Sequence, residues 1–288
     1  MGWLFGVVKI MIQLITNFIF NLNIKFKNDS KLHIATQVKL DEIATLRTEK
    51  FTDKPTIIFL HDSLGCLKLW RDFPEKLGKL TKCNILVYDR QGYGESCSFS
   101  YSKRNNYYIE QEADLLNKLL DFWKIDNAIL FGHSDGGSIA LITAGKYPEK
   151  IKGIITEGAH IFVEEVTIKG IKEAINLYRT TDLKIKLEKY HGNKTEDMFW
   201  AWASTWTTNE FRNWNIEKFL PKIECPSLII QGEKDEYGTI KQVENIIKQT
   251  KGQSTQLVLP NVKHTPHREV PELVLGKVSD FIKAIYYF

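Results

Sequence analysis

The sequence has no long uninterrupted apolar run, no paired cysteines and no block of like charge. Each absence excludes a class of protein. A helix that spans a bilayer needs roughly 20 consecutive apolar residues. The most apolar stretch, residues 3–20, is shorter and interrupted by polar residues. The four cysteines, Cys66, Cys83, Cys97 and Cys225, are scattered with no C-x-x-C pair. That spacing excludes a zinc ribbon and a disulfide framework, and a reducing, cytoplasmic setting is expected. Lys and Arg number 39 against 35 Asp and Glu, a net charge of +4, with both signs interleaved. No basic run of the kind that binds nucleic acid is present, so no nucleic-acid partner is expected. No cofactor and no metal are called for.

The first 27 residues differ from the rest. Lys9, Gln13, Asn17 and Asn21 recur every four residues and would line one stripe of a helix. Lys9 lies inside the apolar run rather than before it, and Asn21-Leu22-Asn23 follows where a signal peptide would have small residues. Gly6 stands where an N-myristoylation site needs Ser or Thr. Residues 1–27 are therefore predicted to form an amphipathic helix that docks on the protein or touches a membrane face peripherally.

The remaining chain has ordinary globular composition, 43% hydrophobic and 26% charged, and is long enough for a substantial core. Residues 33–50 alternate loosely and break at Asp41-Glu42, as a β-hairpin would. Strand-like runs follow at Thr56–Leu60, Asn84–Tyr88, Ala128–Phe131, Gly153–Thr156, Ser227–Gln231 and Gln256–Leu259, with helical spacing between them. This alternation predicts an α/β fold, a mostly parallel central sheet with helices on both faces. Residues 161–220 break the pattern. They hold no strand-like run, several helical stretches and four of the seven tryptophans, Trp200, Trp202, Trp206 and Trp214. The expected organisation is a core of residues 28–160 and 221–288, with 161–220 inserted as a helical lid. Most of the lid tryptophans are expected to pack inward, with one or two facing substrate.

Gly132-His133-Ser134-Asp135-Gly136 stands between the run Ala128–Phe131 and the helix-compatible segment from Ser138 to Ala144. It matches G-x-S-x-G, the sharp strand-to-helix turn that pushes a serine out where a substrate carbonyl can reach it. Chance placement gives about 0.05 such matches in a chain of this composition. A serine hydroxyl needs a base to remove its proton, usually a histidine oriented by a carboxylate. Asp235 and Glu236 follow one later strand, and His264 and His267 follow the next. Open α/β sheets carry their chemistry at that edge. His267, beside Pro266 and Arg268, is expected to be a surface or capping histidine. His61 and His133 are expected to be structural, and His160 also lies near a strand end.

Beyond the pentapeptide, His61–Gly65 resembles an H-G-x-x-G oxyanion loop, and Asp89–Ser96 resembles a D-x-R-G-x-G-x-S loop. His264–Glu272 resembles the closing G-H-x-x-x-x-E-x-P-E segment. Over residues 30–288 the chain thus resembles the α/β-hydrolase fold superfamily, in its lidded serine esterase-like branch. Asp62 and Lys263 replace glycines of that pattern. The resemblance implies Ser134 as nucleophile, His264 as base and Asp235 as its orienting acid. It places the oxyanion on the amides of Ser63 and Asp135. The expected reaction is hydrolysis of a small or medium carboxylic ester through an acyl-enzyme. Lactones, thioesters or carbon–carbon bonds are alternatives for the same triad, and a ligand-binding member without turnover is a further one. Asp135 raises a question, since its carboxylate must turn away from the anion its own amide would stabilise.

Overall fold

Every residue of two strands, Thr56–Leu60 and Ala128–His133, is buried. Strands of this kind need cover on both faces, and the fold supplies it. The structure, a computed structural model, describes residues 40–100 and 104–286. The expected leader, 1–27, and the first arm of the expected hairpin, 33–39, lie outside the described residues. In chain order the strands are β1 Thr45–Thr48, β2 Thr56–Leu60, β3 Asn84–Tyr88, β4 Ala128–His133, β5 Ile151–Glu157, β6 Ser227–Gly232 and β7 Ser254–Leu259. The helices are α1 Phe73–Thr81, α2 Tyr108–Trp123, α3 Asp135–Lys146, α4 Glu165–Thr180, α5 Leu183–His191, α6 Thr195–Trp206, α7 Ile240–Gln249, α8 Pro266–Glu269 and α9 Pro271–Tyr286.

The sheet order is β1-β3-β2-β4-β5-β6-β7. Among the described residues, only β1 runs antiparallel, with Thr45 opposite Tyr88; the other pairings are parallel. The second arm of the expected hairpin is thus β1, which pairs with β3.

Successive residues of a strand point to opposite faces, and the core divides accordingly. Ile58, Leu60, Leu130 and Ile154 pack with Leu116 and Leu120 of α2, Ile139 of α3 and Val243 of α7. Ile57, Phe59, Ile129, Phe131 and Ile155 pack with Phe73 and Leu77 of α1 and Val274 and Val278 of α9. Between β5 and β6 run α4, α5 and α6 and short 3-10 turns, with one isolated bridge, Phe162 to Asn215. Trp202, Trp206 and Trp214 are buried here. Glu164 caps α4 reciprocally with Thr167. Its carboxylate also accepts from the Thr239 amide (2.9 Å), the Thr239 hydroxyl (2.6 Å) and Gln242 Nε2 (2.8 Å). The start of the insertion is therefore tied to the chain after β6. Among the described residues, no helix is long and apolar enough to cross a membrane.

Phe131 sits at the centre of one core face, its ring 5.4 Å from Phe59, 5.5 Å from Trp70 and 5.5 Å from Phe73. Phe131→Ala is expected to cost about 3–5 kcal/mol. In denaturant titrations this appears as a lower midpoint at unchanged m-value.

Candidate active site

The turn from β4 into α3 places Ser134 at φ 54°, ψ −118°. An L-residue rarely adopts this conformation, and it costs on the order of 1–3 kcal/mol. The surroundings hold it there. The Ser134 amide donates to the Glu157 carbonyl at 2.8 Å, and the Ser134 carbonyl accepts from the Gly137 amide at 2.8 Å. A Cβ on Gly136 would lie 2.0 Å from the Leu60 carbonyl oxygen, so only glycine lets the elbow nest against the end of β2.

His264 and Asp235, on the loops after β7 and β6, come together. His264 Nδ1 donates to the Asp235 carboxylate, 2.9 Å from each oxygen. That carboxylate also accepts from the Tyr237 amide at 2.8 Å, the Gly238 amide at 3.2 Å and Gln231 Nε2 at 2.7 Å. Burial would raise the Asp235 pKa, but His264 and these donors outweigh it and hold it at about 2. Burial would lower the His264 pKa, and Asp235 outweighs that too, so it lies above the ordinary 6.5. The stability that Asp235 contributes is therefore present above the ordinary carboxyl value of 3.8 and is lost as pH falls toward about 2. Glu236, the rival acid, is exposed.

Gly158 joins these pieces. It follows Glu157, whose carbonyl holds Ser134, and a Cβ there would sit 2.8 Å from His264 Cε1 and 3.2 Å from Asp235 Oδ2. The imidazole thus sits close against bare backbone beside the elbow. His133 fastens the same loop, its Nε2 donating to the His264 carbonyl at 2.8 Å. Burial holds the His133 pKa down at about 4, which keeps this ring neutral.

The loop after β2 is fixed through one carbonyl. The Arg90 amide donates to His61 Nε2 at 3.0 Å, which puts the His61 proton on Nδ1. His61 Nδ1 donates to the Asp62 carbonyl at 2.8 Å, and Arg90 Nη2 donates to the same oxygen at 2.9 Å. In a trans peptide the following N–H points the opposite way. Pinning the Asp62 carbonyl therefore aims the Ser63 amide. Among the described residues, neither the Ser63 amide nor the Asp135 amide donates to a protein acceptor.

The Asp135 carboxylate turns inward. Its Oδ2 accepts from the Tyr108 hydroxyl at 3.1 Å and lies 3.6 Å from Arg90 Nη2. Trp206 Nε1 donates to the Tyr108 oxygen at 2.6 Å, extending the chain into α6. Burial works against the Arg90 charge, but Tyr93, Glu112 and Asp135 around it raise its pKa, so it stays protonated.

His267 is not at the surface, contrary to expectation. It is buried, and its Nδ1 contacts Glu157 Oε2 at 2.6 Å in a pair with side chains 6% and 0% exposed. Trp70 covers it, ring to ring at 4.5 Å. The sequence offered no sign of this pair, because its members lie 110 positions apart. Gly158, Arg90 and Tyr108 also shape the site. Of these only Arg90 lies in a recognisable motif. Of the four tryptophans, Trp206 lies beside the site, 5.4 Å from the His160 ring.

A family model for the alpha/beta hydrolase fold matches residues 55–206. The chain is 29% identical over 225 residues to the Serine hydrolase BPHL of Homo sapiens, covering 74% of each. It is 25% identical over 252 residues to the Pimeloyl-[acyl-carrier protein] methyl ester esterase of Wigglesworthia glossinidia brevipalpis, covering 79% of this chain and 93% of the other. Among solved structures, MGS-M2, an alpha/beta hydrolase enzyme from a Medee basin deep-sea metagenome library, superposes with a TM-score of 0.69. It is 20% identical and the match covers 85% of this chain and 94% of that one, a likeness of fold.

Removing His267 would strand a buried carboxylate whose Oε1 already lacks a hydrogen-bond partner among the described residues. His267→Ala is expected to cost about 3–5 kcal/mol, and Glu157→Gln, which keeps an acceptor, clearly less. Equal midpoints for the two variants in denaturant would show that no such pair is at work.

Proposed function

Since this chain belongs to the alpha/beta hydrolase fold family and is an enzyme of it, we propose that it is a serine hydrolase cleaving a small or medium carboxylic ester through an acyl-enzyme. The observation that carries this reading is the two-point contact of His264 with Asp235, 2.9 Å to each oxygen, beside a serine held out on a strained turn. With its Nδ1–H hydrogen-bonded to Asp235, His264 keeps Nε2 free to take the proton of Ser134 Oγ. The oxygen attacks the ester carbonyl, and the tetrahedral anion is met by the amides of Ser63 and Asp135. His264 then returns the proton to the leaving alcohol. Water, deprotonated by the same imidazole, releases the acid from Ser134. The inward turn of the Asp135 carboxylate toward Tyr108 and Arg90 favours this assignment, because the positive guanidinium offsets a negative charge next to the anion.

In this reading, residues 161–220 act as the lid. Trp206 supports it, since its side chain reaches the Tyr108–Asp135 chain behind the nucleophile. A lid that closes over the ester excludes water and strengthens the polar contacts beneath it.

Ser134→Ala is expected to lower turnover by about 10^4-fold or more on whichever of short esters, long esters, lactones or thioesters the wild type cleaves best. Unchanged circular dichroism would show that the fold survives, and retention of most activity would sink the assignment. The pH profile gives a separate check. Only neutral His264 acts as base, so kcat/KM should fall on the acid side with a midpoint above 6.5. Asp235→Asn removes the cause of that shift. Its acid limb should move to lower pH while kcat drops by about 10^3–10^4-fold.

A further inference from the structure

A cavity of about 460 Å³ borders three segments of the proposed site. His61 and Asp62 come from the loop that carries Ser63. His133 precedes Ser134, and its ring lies 5.1 Å from that of His264. Thr265 follows His264. The depth of the cavity is readable from burial. His61, His133 and Trp70 are buried and form the floor, with the buried Leu187 of α5 beside them. Lys186, Lys189 and Arg268 are exposed and stand at the mouth.

Three lining side chains, Lys186, Lys189 and Arg268, are cationic, against one carboxylate. Lys189 comes from α5 and Arg268 from α8, so two separate elements bring cations to one opening. Neither forms an ion pair with a carboxylate among the described residues, whereas Lys186 is engaged by Asp182 at 2.8 Å. The only acidic residue among the described lining is Asp62, which sits on the oxyanion-loop side. An apolar wall with a cationic mouth is complementary to a chain that ends in an anion.

We propose that this cavity receives the part of the ester remote from the scissile bond, and that this part ends in a carboxylate or a phosphate held between Lys189 and Arg268. The proposal rests on the serine-hydrolase reading for the chemistry but concerns binding, so the two can fail separately. The hydrocarbon portion lies along Leu69, Trp70 and Leu187, and the anion stays at the partly hydrated rim. Contacts of this kind are screened, so their strength falls as salt rises.

The test uses three esters of one alcohol and equal chain length: ethyl hexanoate, the monoethyl ester of hexanedioic acid, and ethyl 6-phosphonooxyhexanoate. Binding is measured by calorimetry on Ser134→Ala, which does not consume them, with and without Lys189→Gln/Arg268→Gln. The expected result is that an anionic ester binds about tenfold tighter than the neutral one at low salt, as two half-screened ion pairs would give. This preference should be lost in the triple variant and should shrink near 0.5 M salt. Whichever anion binds tighter identifies the terminal group. In otherwise wild-type protein, the ratio of kcat/KM for charged over neutral ester should drop by a similar factor when the two cations are replaced. Equal binding of all three esters, or a preference that survives both substitutions, overturns the proposal. Charge-dependent binding without turnover of any ester would support the cavity assignment and overturn the serine-hydrolase reading instead.

Discussion

The backbone at Ser134, at φ 54° and ψ −118°, is the constraint from which the surrounding geometry follows. A turn that tight is possible only where neighbouring chains come closer than a Cβ allows. Gly132 and Gly136 supply that closeness, with Gly136 pressed against the Leu60 carbonyl at the end of β2. This approach sets the elbow beside the loop that carries Ser63. The hydrogen bond from the Ser134 amide to Glu157 sets it beside β5, and Gly158 then seats the His264 ring. The segments that follow β2, β4, β5 and β7 are thereby drawn to one point. The elbow helix α3 pays for none of this in exposure, being buried from Asp135 to Gly145.

Charge near that point is arranged in matched pairs. Asp235 faces His264, Asp135 faces Arg90, and Glu157 faces His267. A buried carboxylate left alone would cost several kcal/mol. Each of these has a cationic or donating partner, and the imidazoles of His61 and His133, which hold neighbouring loops, are held neutral by burial. His264, in contrast, has its pKa raised by Asp235. That separation of duties among four histidines follows from which ring nitrogen each one commits, and to what.

Much of the core was legible in the sequence because buried parallel strands leave continuous apolar runs. Thr56–Leu60, Asn84–Tyr88 and the helix Tyr108–Trp123 appear in the fold with the bounds their patterns imply. The order of Ser134, Asp235 and His264 along the chain could likewise be read, since each follows a strand. What could not be read were contacts between distant segments. A histidine beside a proline and an arginine reads as a surface residue, and nothing local to His267 reveals Glu157. The direction of the Asp135 carboxylate was open for the same reason. It depends on Tyr108, 27 positions earlier, and on Arg90, neither of which a five-residue motif contains.

The central claim is that Ser134 becomes covalently acylated. The most direct measurement is peptide mapping by mass spectrometry after acid quench of the enzyme with a slowly deacylating aryl ester. One acyl group per chain is expected, on Ser134, appearing with the burst of phenol and absent when His264 is replaced. An acyl group on another residue, or steady turnover with no acylated peptide at any quench time, would contradict it.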